Sequence, residues 1–198
     1  MKSKPNIYFI DFDGTVTRAD SFIKFIFFSK GVIITLGVLA IVFPMYLFFK
    51  SIKKDTGFLK EIIIGFLYRD LNIDCFNKIA SDFSNYILPK MIKDSFKHYI
   101  QKIKKNDKVV IVSASLDNYL RPWCEKNNFD LLATELEHKN RKLTGKFLTK
   151  NCNGKEKVHR IVSKYDLNNF NKIYVFGNSK GDREMLALGT DSYFKFFD

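Results

Sequence analysis

The chain has 198 residues, 46% hydrophobic and 27% charged, which excludes a disordered chain and fits one domain with a sizeable insertion. Its 33 Lys and Arg against 21 Asp and Glu give a formal net charge of +12, which favours an anionic partner: nucleic acid, acidic lipid or a phosphorylated compound. A solvated basic surface would account for the same charge. Cys75, Cys124 and Cys152 show no CxxC spacing, and His98, His138 and His159 lie in separate segments. A reducing compartment is therefore expected and a zinc site is not.

In chain order, "NIYFIDF" (Asn6–Phe12) predicts a short buried strand with Asp11 near its carboxyl end. This apolar run is too short, and ends in too acidic a motif, for a secretory leader. Two carboxylates two residues apart, Asp11 and Asp13, are costly to bury. A cation between them, or a proton held on one of them, would make the arrangement tolerable. From Val16 to Asn106 no strand pattern appears. "LKEIIIGFLYRDL" and "PKMIKDSFKHYIQKIKK" read as helices, so the segment is expected to be a helical insertion.

Within it, Gly31–Phe49 runs for 19 residues without a charge, between Lys30 on one side and Lys50, Lys53 and Lys54 on the other. Its length is that of a membrane span. A single crossing would put strands that must pair on opposite sides of a bilayer. Basic residues at both ends place both at the cytoplasmic face. The expectation is a re-entrant or interfacial helical hairpin, bent near Gly37 or at Pro44. Phe22, Phe25, Phe27 and Phe28 add aromatic mass for a membrane boundary or a lipid cavity. The competing reading is a helix buried in the insertion's own core or in a dimer interface.

"VVIVSAS" (Val109–Ser115) and "KIYVFGNS" (Lys172–Ser179) are further short strands. Helices are expected at about 116–127 and 182–188. A weaker strand near Leu131–Glu137 leads into a hairpin around Asn140. Strands alternating with helices predict an α/β fold with a parallel sheet, whose ligands bind beyond the strands' carboxyl ends. Asp11 and Asp13, Ser113, and Asn178 with Asp182 would then meet at one edge. Ser115, which opens "SLDNYL", is expected to cap the following helix.

"DFDGT" (Asp11–Thr15), "VSAS" (Val112–Ser115), "NGKEK" (Asn153–Lys157) and "GNSKGDREML" (Gly177–Leu186) occur in order along the chain. "ATELEHKNRKLTGKF" (Ala133–Phe147) adds a fifth stretch. Together they resemble the phosphatases of the haloacid dehalogenase superfamily, in the branch with a helical cap inserted after the first motif. The resemblance implies a Rossmann-like core from 1–17 and 107–198 and an all-α cap at 18–106. It implies Mg²⁺-dependent phosphomonoester hydrolysis through an aspartyl-phosphate.

On this resemblance Asp11 is the nucleophile and Asp13 the general acid and base, its main-chain carbonyl a metal ligand. Gly14 and Thr15 shape the loop, and Ser113 and the Ala114 N–H bind phosphate. Lys157 or Lys155 neutralises charge, with "GKEKV" favouring Lys157. Asn178 and Asp182 complete the metal set with Asp11 and Asp13, although Asn178 stands where the family often has Asp. The uncharged run inside the cap resembles a phosphatidylglycerophosphatase of this type and implies a lipid phosphate at an anionic membrane surface. Two other readings stay open: a soluble phosphatase of small molecules such as phosphoserine, and a membrane-bound binding protein that has lost catalysis. Nucleic acid is not expected as a partner, because no recognition motif accompanies the charge.

Overall fold

A computed structural model describes residues 4–52 and 57–198. The elements run β1 (Ile7–Ile10), a tight turn at Phe12–Val16, α1 (Ser21–Ser51), α2 (Gly57–Tyr68), α3 (Ile73–Tyr86), α4 (Leu88–Met91) and α5 (Asp94–Ile100). There follow β2 (Lys108–Leu116), α6 (Asp117–Lys126), β3 (Asp130–Thr134), β4 (Leu136–Lys139), β5 (Lys142–Phe147) and α7 (Lys155–Lys164). The chain closes with β6 (Ile173–Gly177), α8 (Arg183–Leu186) and β7 (Asp191–Phe194). Five parallel strands form one sheet in the order β3-β2-β1-β6-β7. This is the expected α/β architecture.

Every residue of β1 is buried, because the sheet is covered on both faces. Ile7 and Phe9 join Val110, Val112, Val175 and Met185 on one side. Tyr8 and Ile10 join Val109, Ile111 and Phe176 on the other. That second core continues into the helices between β1 and β2. Phe25 lies at its centre, its ring 5.0–6.0 Å from those of Tyr68, Phe76, Phe83 and Tyr119. Aromatic rings thus bind α1, α2 and α3 to α6 beside the sheet.

Several expected boundaries shift. The single strand near Leu131–Glu137 is two, broken at Glu135, and the hairpin turns at Asn140 and Arg141, both with positive φ. β7 carried no sequence signal: it is an edge strand whose residues alternate between exposed and half-buried, so "DSYF" shows no apolar run. Ser115 does not cap α6. It lies inside β2, and Leu116 holds the cap position without a side-chain bond. A register shift between Val112 and Leu116 extends the strand past the expected stop.

The uncharged run bends neither at Gly37 nor at Pro44. The break in α1 is at Gly31, with φ 76° and ψ 175°, a conformation that L side chains rarely adopt. Pro44 stays inside the helix. It and Ala40, whose carbonyl it cannot serve, are both exposed residues. α1 is long and apolar enough to cross a membrane by length and composition, and its most apolar 18-residue window has a mean hydropathy of 2.5 and is 11% buried. Ile33 is 88% exposed, and Ile41, Phe43 and Phe48 are exposed with it. The run is therefore not a helix buried in the insertion's own core. It packs along one side on α2, where the Phe49 and Phe58 rings lie 4.8 Å apart. Lys53 and Lys54 lie outside the described residues.

Candidate active site

The order of the sheet puts β1 between β2 and β6, and the chain's polar tips gather where these three strands end. Ile10 pairs with Ile111 on one side and with Phe176 on the other. One step on, the Asp11 N–H donates to the Phe176 carbonyl at 2.9 Å. Ser113 and Asn178 therefore flank the start of the turn that carries Asp13. Gly14 has φ 77°, and a Cβ there would stand 2.1 Å from the Asn178 amide nitrogen, so only glycine lets this amide close over the turn.

Lys157, on the first turn of α7, is 2% exposed. Its Nζ donates to Asp11 Oδ1 at 2.5 Å and to Asp182 Oδ1 at 2.6 Å. Asp11 Oδ2 accepts the Thr15 hydroxyl at 2.8 Å. Asp182 Oδ2 accepts the N–H groups of Asn178 and Ser179 and the Ser179 hydroxyl. One ammonium thus serves two buried carboxylates. Burial pushes the Asp11 carboxyl up to about 6, the negative Asp182 adds to this, and Lys157 opposes it. Burial works against the Lys157 ammonium, but the two carboxylates outweigh it and hold its pKa above the ordinary lysine value. Burial would raise Asp182 too, yet Lys157 and the Ser179 donors keep it below the usual carboxylate range.

Asp13 stands in a different setting. Its Oδ1 accepts the Ser21 N–H at 2.7 Å, and its Oδ2 accepts the Ser115 hydroxyl. Burial first, and the nearby negative Asp20 second, raise its pKa, against the pull of Lys60. Behind it runs a chain of buried hydroxyls. Ser115 Oγ lies 3.1 Å from Ser21 Oγ, which lies 3.1 Å from the Tyr119 hydroxyl. Sequence reasoning missed these three. Ser21 and Tyr119 belong to segments far apart in the chain, and Ser115 resembled a helix cap.

Of the other candidates, Ser113 is buried and its Oγ accepts the Ser115 N–H at 3.0 Å, which leaves its own proton to donate. The Ala114 carbonyl receives Lys60 Nζ at 3.5 Å and the Thr134 hydroxyl at 3.3 Å. Lys155 is exposed, two residues before Lys157 and so on a different face of α7, and it is not part of the cluster. Among the described residues no three His, Cys, Asp or Glu gather as a metal cluster. The oxygens available at the strand tips are the Asp11 carboxylate, the Asp13 main-chain carbonyl and the Asn178 amide. Such a set of hard donors fits Mg²⁺. Asp182 already spends its oxygens on four hydrogen bonds.

A family model for haloacid dehalogenase-like hydrolases matches residues 8–187. Protein CicA of Caulobacter vibrioides is 27% identical over 202 residues, covering 100% of this chain and 89% of that protein. Among solved structures, a protein with unknown function from Bordetella pertussis Tohama I superposes with a TM-score of 0.77 at 15% identity, over 96% of this chain and 89% of the other. A phospho-aspartyl intermediate analogue of phosphoserine phosphatase superposes with a TM-score of 0.63 at 20% identity, over 96% and 86% of the two chains. These likenesses agree on the fold, and the family model spans nearly all of the chain, motifs included. The chain belongs to the haloacid dehalogenase-like hydrolases.

Proposed function

We propose that the chain is a Mg²⁺-dependent phosphomonoesterase acting on a membrane lipid phosphate such as phosphatidylglycerophosphate, through an aspartyl-phosphate on Asp11. The observation that carries this reading is the buried trio of Asp11, Lys157 and Asp182 at the tip of the central strand, with a second carboxyl, Asp13, held separately beside it. The two environments suit two tasks. Asp11, against an ammonium, stays ionised at neutral pH and can attack phosphorus. Its Oδ–P bond forms as the bond from phosphorus to the leaving oxygen breaks. Asp13, whose proton is favoured by burial, gives that proton to the leaving alkoxide. It then takes one from the water that attacks phosphorus and frees Asp11.

Lys157 offsets charge on Asp11 and the phosphoryl oxygens, while Asp182 holds Lys157 and the loop at Asn178 and Ser179. Ser113 and the Ala114 N–H would donate to the phosphoryl oxygens, and Thr15 orients Asp11. Mg²⁺, held by Asp11, the Asp13 carbonyl and Asn178, would screen the carboxylate from the phosphate dianion. The phosphoserine phosphatase neighbour is a phospho-aspartyl intermediate analogue, which supports the same step here.

The membrane part of the proposal rests on α1. Its outer segment leaves a row of large apolar side chains exposed, with Lys30 at one end and Lys50 at the other. An interfacial helix at an anionic surface would cover them. Residues 1–17 and 107–198 are read as the catalytic core and 18–106 as a cap that rests on the cytoplasmic face of the membrane. The direct test compares substrates with and without detergent micelles. Phosphate release from phosphatidylglycerophosphate should exceed that from phosphoserine. The reverse ranking would replace the lipid reading with the soluble one. Absence of Mg²⁺-dependent hydrolysis of p-nitrophenyl phosphate would leave a binding protein.

The hydroxyl chain gives a second expectation. Ser115→Ala removes the donor to Asp13 Oδ2, and an alkyl phosphate should then turn over roughly 10- to 100-fold more slowly, the loss of one hydrogen bond to a charged group. p-Nitrophenyl phosphate, whose leaving group needs little protonation, should suffer less. Equal losses on both substrates would mean that Ser115 does not act through Asp13.

A further inference from the structure

A cavity of about 550 Å³ lies between the outer segment of α1 and α2. Its walls are Phe22, Leu36, Leu39, Phe43, Leu59 and Ile63 with a few apolar neighbours, and its polar residues are Asp20, Lys60 and Tyr46. Two of these three tie it to the candidate site. Asp20 caps α1 by accepting the Ile23 N–H, and the next residue, Ser21, gives its own N–H to Asp13. Lys60 reaches the Ala114 carbonyl and stands over the Phe22 ring at 5.3 Å. Among the described residues Lys60 has no carboxylate within ion-pair distance, and it acts on Asp13 through space. The part of the cavity lined by Asp20 and Lys60 is therefore near Asp13, the carboxyl that serves the leaving group, and its other walls belong to two apolar helices.

We propose that this cavity is the leaving-group subsite and takes the hydrocarbon chain of a phosphomonoester's alcohol. The proposal rests on the phosphomonoesterase reading and gives the lipid preference a location. In an in-line displacement the leaving oxygen departs away from Asp11, on the side of the acid. Whatever hangs from that oxygen enters the space bounded by Asp20, Phe22 and Lys60. The volume is that of an ordinary small-molecule site, roughly 300–1,000 Å³. A small zwitterion such as serine would pair its ends with Lys60 and Asp20 and leave the apolar length unfilled. A hydrocarbon chain fills it. One wall belongs to the exposed segment of α1, so a chain leaving a bilayer could enter sideways between the helices.

The test is a series of straight-chain monoalkyl phosphates from ethyl to octyl, with Mg²⁺, below the concentrations at which they form micelles. Their leaving groups are chemically alike, so differences report the subsite. kcat/KM should rise about threefold per methylene, somewhat under the factor corresponding to ~0.8 kcal/mol per buried methylene, and octyl phosphate should exceed phosphoserine. Ala40 also lines the cavity, and Ala40→Trp, which adds bulk there, should flatten the series. That slope is a ratio within one protein, so it does not depend on how much of the variant is folded. A flat series in the unchanged protein, or an undiminished slope in Ala40→Trp, would overturn the subsite while leaving the phosphatase reading in place. Failure to hydrolyse any of these phosphates, p-nitrophenyl phosphate included, would overturn both.

Discussion

Asp11→Asn is expected to lower phosphomonoester turnover by on the order of 100,000-fold, the scale on which removal of a covalent nucleophile acts. The replacement is nearly isosteric, and its amide oxygen can still accept from Thr15 or Lys157. Stability should move the other way. Burial and Asp182 together raise the Asp11 carboxyl to about 6, so its ionised form is less favoured in the folded chain than in water. A neutral side chain removes that cost, and Lys157 keeps its second partner. Thermal unfolding of the variant should therefore match or slightly exceed that of the unchanged chain, a sign that the residue is kept for chemistry. A large drop in unfolding temperature with activity intact would mean that Asp11 is a structural ion-pair member.

Lys157→Met should fail on both counts. It leaves the Asp11 and Asp182 carboxylates buried without a counter-charge, a change that costs about 3–5 kcal/mol when one partner of a buried pair is removed. For a chain of this size the unfolding temperature should fall by roughly 10 °C. Turnover should fall at least about 100-fold, because the phosphoryl oxygens lose a fixed cation. The double variant Lys157→Met with Asp182→Asn separates the effects. It should regain part of the stability, since Asp11 still lacks its counter-charge, and none of the activity. Lys155→Met, on the exposed face of the same helix, should stay within about 0.5 kcal/mol of the unchanged chain. Equal effects of the two lysines would contradict the assignment.

What was legible in the sequence follows from which forces act locally. The central strands were readable because strands buried on both faces need unbroken apolar runs, and "IYFI", "VVIV" and "IYVF" stop where the polar tips begin. The tips could be placed at one edge from the rule that parallel strands share a direction. The edge strand β7, half-exposed, left no such trace. The sequence points to a bend in α1 near Gly37 or at Pro44, the latter on the weakness of proline in a helix. The glycine that bends it adopts a left-handed φ, which no local pattern announces. Ser115 looks like a cap because it stands beside a helix, whereas its partners, Asp13 in the turn after β1 and Ser21 in α1, come beside it only once the fold brings them together. Lys157 and Lys155 could not be told apart by type. The turn of α7 decides between them, because one faces the two carboxylates and the other faces solvent.

The most direct measurement of the central claim is to trap the phosphorylated chain. The protein is mixed with a radiolabelled phosphomonoester and Mg²⁺, quenched in acid during turnover, and digested for mapping. The account predicts an acid-stable, hydroxylamine-labile label on the peptide carrying Asp11, absent in Asp11→Asn. Phosphate release with no labelled protein, or a label that survives in Asp11→Asn, would contradict it.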